Sequence, residues 1–266
     1  MCSNKKDFEN MMFNNQNVRI SPNAKIGKNV RIGDDSVIYD NVVIEDNVTI
    51  SHNCIIGEPL NDYYSNPAYE NPITVIGANS LIRSHTIIYA GNILGKNVTT
   101  GHRVNLREYN VIGHDTMIGT CSDIQGNVTI GNFTRIYSSV AIAPLTKIGN
   151  YVFIYAFVVL TNDPYPPSED VKGCSISDYT QIAANSTVLS GVNIGINCLV
   201  GAGSVVNHHI PDYSLATGNP AKVLLDIRKF VIFGKGRIYP WMNRFDRGMP
   251  WENIGYENWM NSDESD

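Results

Sequence analysis

An isoleucine, leucine or valine returns at every sixth residue through most of this 266-residue chain. One run holds Ile20, Ile26, Ile32, Ile38, Ile44, Ile50 and Ile56. A second continues without slippage from Ile76 to Leu160 and a third from Ile176 to Val206, with Thr100 the one position of another type. Four residues after each stands a small or β-branched side chain, as in Ala24, Val30, Ser36, Val42, Val48 and Cys54, or Ser186, Val192, Cys198 and Ser204. A period of six does not match the ~3.6-residue helix, but it is a multiple of the two-residue strand period, so both positions can face inward from short strands. One such strand is too short to bury its own face, and the units must stack as a solenoid.

Glycine follows the inward aliphatic at Gly77, Gly95, Gly113, Gly131 and Gly149, each three hexads from the last. That spacing is expected if one corner of the stacked coils repeatedly needs a tight turn. Gly195 rejoins the column only if ten extra residues follow Leu160, so the segment containing "VVLTNDPYPPSED" (158–170) reads as a corner carrying a protruding loop. A second excursion, "GEPLNDYYSNPAYENPITV" (57–75), is rich in Pro, Asn and Tyr. Binding residues concentrate on loops of this kind, set on a monotonous scaffold.

A net charge of −5 and the lack of any Lys/Arg cluster argue against nucleic-acid binding. The N-terminal stretch lacks a signal peptide's apolar core, and nothing stays apolar long enough to cross a bilayer, so a cytoplasmic, non-membrane protein is expected. Five cysteines make a poor disulfide framework, and Cys54 and Cys198 occupy the small inward position. After Val206 the repeat ends. From Ala221 the spacing Val223, Leu224, Ile227, Val231 predicts a short helix with Pro220 at its first position. Beyond it, Trp241, Trp251 and Trp259 predict an extension packed on the prism or on a neighbouring subunit.

The repeat, with its closing stretch "VGAGSVVNHHIPDYSLATGNPAKVL" (200–224), resembles the hexapeptide-repeat acyltransferases over about residues 18–230. The resemblance implies an all-β fold, a left-handed parallel β-helix with two protruding loops, a C-terminal helix and an aromatic-rich extension. The expected divisions are a lead-in over 1–17, the β-helix over 18–210 and the helix and extension over 211–266. It further implies a homotrimer using acetyl-CoA as acyl donor, with Ala183, Ala184, Gly201 and Ala202 leaving room for its pantetheine and Lys222 matching a position that meets a CoA phosphate. The stretches "IGEPLNDYY", "SLIRSHTIIYAG", "TGHRVNLRE", "GTCSDIQG" and "VVLTNDPYPPSE" resemble, more narrowly, the dTDP-3-amino-3,6-dideoxyhexose N-acetyltransferases of surface-polysaccharide sugar biosynthesis.

On a coil of three hexads Glu108, Gly126, Pro144 and Asn162 share one column, and Arg107, Gln125, Ala143 and Thr161 the next. Asp163 therefore projects on the same side as Arg107, Glu108 and Gln125, while Arg83, Ser84, His85 and His102 gather on another corner. Arginine is suited to a sugar nucleotide's pyrophosphate, and Glu108, Asp123, Gln125, Asn162 and Asp163 to its hydroxyls and amine. Relatives that acylate hydroxyls place a histidine in the 158–170 loop; this loop has none. A hydroxyl needs such a base, whereas an amine whose conjugate acid has a pKa of about 8–10 offers some free base at neutral pH. An amine acceptor therefore depends mainly on positioning and oxyanion stabilisation. Asp163 is expected to orient the amine first and accept a proton second. O-acetyl transfer through His85 or His102 is the rival. A zinc enzyme of γ-carbonic-anhydrase type is disfavoured by the histidine spacing, and no metal is expected.

Overall fold

The computed structural model describes residues 13–262, so residues 1–12 of the expected lead-in, with Cys2, lie outside it. Its main body is a parallel β-solenoid with three faces. The first runs from Arg19–Ile20 to Val205–Val206 in ten strands, the second from Lys25–Ile26 to Asn193–Ile194 in nine. The third starts at Arg31–Ile32 and ends in a hairpin, with eleven strands. Most strands pair with the strand three repeats further on, as in Ile93↔Val111 and Met117↔Arg135. The repeat aliphatics fill the interior: Ile38 to Val206 along the column are at most 3% exposed. Thr100 is fully buried among them, and its Oγ1 accepts the Arg83 N–H at 2.9 Å, so the one polar member of the column has a partner.

The second inward position bonds the turning backbone of the next coil. Thr116, Thr134 and Thr180 donate to the carbonyls of Gly131, Gly149 and Gly195 at 2.9, 2.8 and 2.7 Å, and Asn110 Oδ1 accepts the Val128 N–H at 2.8 Å while its amide N–H donates to the Arg107 carbonyl of its own coil at 2.7 Å. Small polar side chains there satisfy main-chain groups that no strand can reach.

The glycine column is where the sequence places it, after each second-face strand, but its physical reason differs. Positive φ falls three residues after the aliphatic, not one, at Asn29, Asp35, Asn97 and Asn127 among many. Asn and Asp tolerate that conformation best. The column glycines meet the coil above instead: a Cβ on Gly131 would sit 2.5 Å from the Gly149 carbonyl carbon.

Several left-handed turn positions hold bulky residues, among them Phe133, Tyr151 and Tyr179. These three stack at 5.3 and 4.8 Å between ring centres, forming a ladder on the edge between second and third faces. The tail docks there. Trp251 lies 5.3 Å from Tyr151 and is fully buried, Trp241 donates its ring N–H to the Tyr179 carbonyl at 2.9 Å, and Arg135 donates to the Gly248 carbonyl at 2.6 Å. The extension thus covers the third face of its own prism, as one of the two sequence expectations has it.

The helix expected from Ala221 is not formed. Ser214–Gly218 and Ala221–Asp226 make an antiparallel hairpin that extends the third face, with Leu199 paired to Leu215. The free edge of the last coil offers strand partners, and Asn219–Pro220 fills the turn; a short apolar run does not by itself choose between helix and strand. The α-helix among the described residues is Tyr256–Met260, which buries Trp259.

Candidate active site

Both long insertions leave the prism at the same corner, between first and second faces. Ile55 pairs with Ile87 and Lys147 with Ser175, in each case well beyond the three-repeat register that holds elsewhere. Five coils separate the two loops, through Asn105, Asp123, Ala141 and Val159, a rise of about 24 Å at strand spacing. Arg107, Glu108 and Gln125 lie on this edge between them.

Beneath the second loop is a cavity of about 620 Å³. Its floor is the outer side of the first face, where Ala141, Ala143 and Val159 leave space, and its loop wall includes Asn162, Asp163 and Tyr165. Gln125, Ser190 and Asn207 close the ends. Of the expected site residues, the cavity gathers Gln125, Asn162 and Asp163. Sequence reasoning missed Tyr165, Ser190 and Asn207. The signal available was the paired alanines at 141 and 143, the smallest side chains at outward positions of that face.

Asp163 is committed to the loop. Its carboxylate accepts the Ser168 hydroxyl at 2.6 Å, the Ser168 N–H at 2.9 Å and the Tyr165 N–H at 3.0 Å. The Ser168 hydroxyl, with those main-chain donors, holds the carboxyl below its ordinary pKa against a smaller opposing effect of burial. Such a group orders a turn well and accepts protons poorly. Asn162 has its carbonyl bonded by the Lys172 N–H at 2.7 Å, while its side-chain amide has no partner among the described residues.

Further along the edge, Arg107 pairs with Glu108 at 2.9 Å and lies 5.1 Å from the Tyr89 ring. Glu108 leans over Gly126, where an added Cβ would come within 3.0 Å of its Oε1. Asp123, on the first face, accepts from Asn105 at 2.7 Å and from Gln125 at 3.5 Å.

Arg83, Ser84, His85 and His102 occupy the other border of the first face, the edge shared with the third, where Ser84 Oγ and His102 Nδ1 are 2.8 Å apart. Within one chain they do not reach the cavity. Ala183, Ala184, Gly201 and Ala202 sit at the far end of that same edge, and Lys222 lies on the adjoining hairpin, paired with Thr217. Among the described residues no group of His, Cys, Asp and Glu is arranged to hold a metal. Nor is any helix among them long and apolar enough to cross a membrane.

A three-faced parallel solenoid on a six-residue repeat, with a looped cavity on one edge, has the hexapeptide-repeat acyltransferase fold. The chain is similar in structure to a UDP-N-acetylglucosamine acyltransferase from Arabidopsis (TM-score 0.55, 20% identity, covering 78% of this chain and 72% of that one). A second likeness is to the enzyme of the same name from Campylobacter jejuni (TM-score 0.51, 20% identity, 80% and 76% covered). Residues 14–122 match the model of the GMPPB C-terminal domain family. In sequence, 42 residues are 57% identical to dTDP-3-amino-3,6-dideoxy-alpha-D-galactopyranose 3-N-acetyltransferase from Aneurinibacillus thermoaerophilus, a match spanning 16% of this chain and only 22% of that enzyme.

Proposed function

We propose that this protein transfers an acetyl group from acetyl-CoA to the amine of a dTDP-linked 3-amino-3,6-dideoxyhexose. The observation that carries the reading is the make-up of the cavity under the 161–173 loop: it presents the amides of Asn162 and Gln125 and no imidazole. The local identity to a sugar-nucleotide N-acetyltransferase supports the acceptor class.

In this reading the free amine lies under the loop, oriented by Asn162 and Gln125, with Glu108 toward the sugar and Asp163 holding the loop in shape. The amine nitrogen attacks the thioester carbonyl carbon, the carbon–sulfur bond breaks, and the departing thiolate takes the proton that the nitrogen loses. No enzymic base is then required, which agrees with a carboxylate whose pKa is depressed. Acetyl-CoA would run along the edge of Ala183, Ala184, Gly201 and Ala202, with Lys222 at its phosphate. In a ring of three chains, two different surfaces of each chain meet; the two edges bordering the first face are such a pair, and would bring one chain's His102, His85, Ser84 and Arg83 toward its neighbour's cavity.

The test is a panel of dTDP-amino sugars and their hydroxyl counterparts with acetyl-CoA, scored by thiol release and product mass. Acetylated amine products are expected. Turnover confined to hydroxyl acceptors, abolished by His102→Ala, would instead establish O-acetyl transfer.

A further inference from the structure

The C-terminal tail does more than cover the third face: two cavities lie beneath it, sharing Tyr137, Phe153 and Phe245 in their walls. One, about 250 Å³, is bounded by Phe153, Tyr155, Trp241 and Phe245, with the amides of Gln181 and Asn197 at its edge. This is below the roughly 300–1,000 Å³ of a site for a whole small ligand, so it takes a flat ring and leaves the rest of the molecule outside. Asn197 is 8% exposed, and its Oδ1 is buried with no hydrogen-bond partner. A buried acceptor of this kind calls for a donor from something not yet bound.

The adjoining cavity, about 510 Å³, holds Arg135, Arg247 and Thr99 beside the rings it shares with the first. Arg135 donates to the main-chain carbonyls of Asp115, Thr134 and Gly248, and to no carboxylate. Arg247 has neither a hydrogen bond nor an ion pair among the described residues. One carboxylate, Asp115, also lines this cavity, but it is held by His114 at 2.7 Å and by Asn97 at 3.0 Å. Arg135 and Leu199 are three strands apart on the third face, about 14 Å, so the guanidinium cavity follows directly on the aromatic one.

We infer that the groove under the tail binds a nucleotide, with its base among the aromatic rings, a base N–H on Asn197 Oδ1, and its phosphates between Arg135 and Arg247. Stacking on aromatic rings accepts any base, and guanidinium groups without a carboxylate partner suit phosphate. The groove is on the third face, away from the cavity of the 161–173 loop. Its occupancy therefore does not depend on which acceptor the chain acylates.

Titration of the full chain with ADP, dTDP and CoA, followed by tryptophan fluorescence, tests this, because Trp241 lines the aromatic cavity. Adenosine and thymidine serve as phosphate-free probes. At least one nucleotide is expected to bind, and Arg247→Ala to weaken it tenfold or more while leaving its nucleoside unaffected. Asn197→Gly, which keeps the positive φ, should weaken both. Preference for ADP and CoA would identify the acyl donor as the source of the nucleotide, and preference for dTDP the sugar nucleotide. No fluorescence response to any of the three, or equal affinity in wild type and Arg247→Ala, would overturn the inference. Asn162→Ala should leave nucleotide binding at wild-type strength, which separates this test from that of the acyl-transfer reading.

Discussion

Replacing Gly131 with alanine is expected to destabilise the solenoid, although the backbone there suits alanine. A glycine outside the left-handed region usually gains about 0.4–1 kcal/mol on becoming alanine, because the unfolded chain loses freedom. Here the added Cβ would lie 2.5 Å from the Gly149 carbonyl carbon, 2.6 Å from its oxygen and 2.7 Å from the Asn150 nitrogen. Carbon atoms at rest stand about 3.5–4.0 Å apart, so a coil must shift by about 1 Å. All three obstacles are main chain, tied across coils by Gly131 N–H to Ile148 O at 2.8 Å and Tyr151 N–H to Asn132 O at 2.9 Å. Overpacking costs about 1–3 kcal/mol, and loosening one or two ladder bonds adds about 1 kcal/mol each. The net is about 2–4 kcal/mol, a fall in Tm of roughly 4–16 °C for a chain of this size. Coils contact mainly their neighbours, so hydrogen exchange should show lost protection near residues 131–151 and little change at the ends. Gly203→Ala is the control: φ is +69° with nothing within 4 Å, so only the left-handed cost of about 1–2 kcal/mol applies. Gly131→Ala as stable as wild type would refute the close-approach explanation of the column.

Three other perturbations address the tail, the loop and the cavity. Trp251→Ala removes a fully buried ring at a cost of about 3–5 kcal/mol; limited proteolysis should then cleave the tail while the main thermal transition of the prism persists, and collapse of that transition would count against an independent prism. Asp163 has a folded pKa below its ordinary value, so its contribution to loop order is present above the ordinary carboxylate range and is lost as pH falls through the lowered value. Ser168→Ala should move that loss to higher pH, read as protease sensitivity of residues 161–173 against pH; an unmoved midpoint would mean that the Ser168 hydroxyl is not the cause. Asn162→Ala should lower kcat at least tenfold with Tm unchanged, since its amide has no partner among the described residues, and unchanged kcat would remove it from the proposed positioning role.

Much of this architecture is legible in the residues because its period is short and strict. The six-residue aliphatic column, the small residues four places on and the glycines three hexads apart each report a local rule repeated at every coil, and the pairing registers follow them. The ten-residue insertion after Leu160 can be counted for the same reason, and the count alone places Asn162 and Asp163 beside Gln125. Three things were not legible, and each depends on contacts remote in the chain. The strand from Ala221 forms because the last coil leaves an edge to pair with, an opportunity that the spacing of Val223 and Leu224 does not record. The aromatic ladder of Phe133, Tyr151 and Tyr179 brings together turn residues from successive coils, and it holds Trp251 and Trp241. Asp163 looks from the sequence like an available carboxylate, but the loop closes on it through Ser168. The sequence by itself determined the repeat, its coil length and the edge to which Gln125, Asn162 and Asp163 belong. Only the tertiary structure decided which polar groups are left free to act, because a side chain's availability depends on every partner that folding brings within reach.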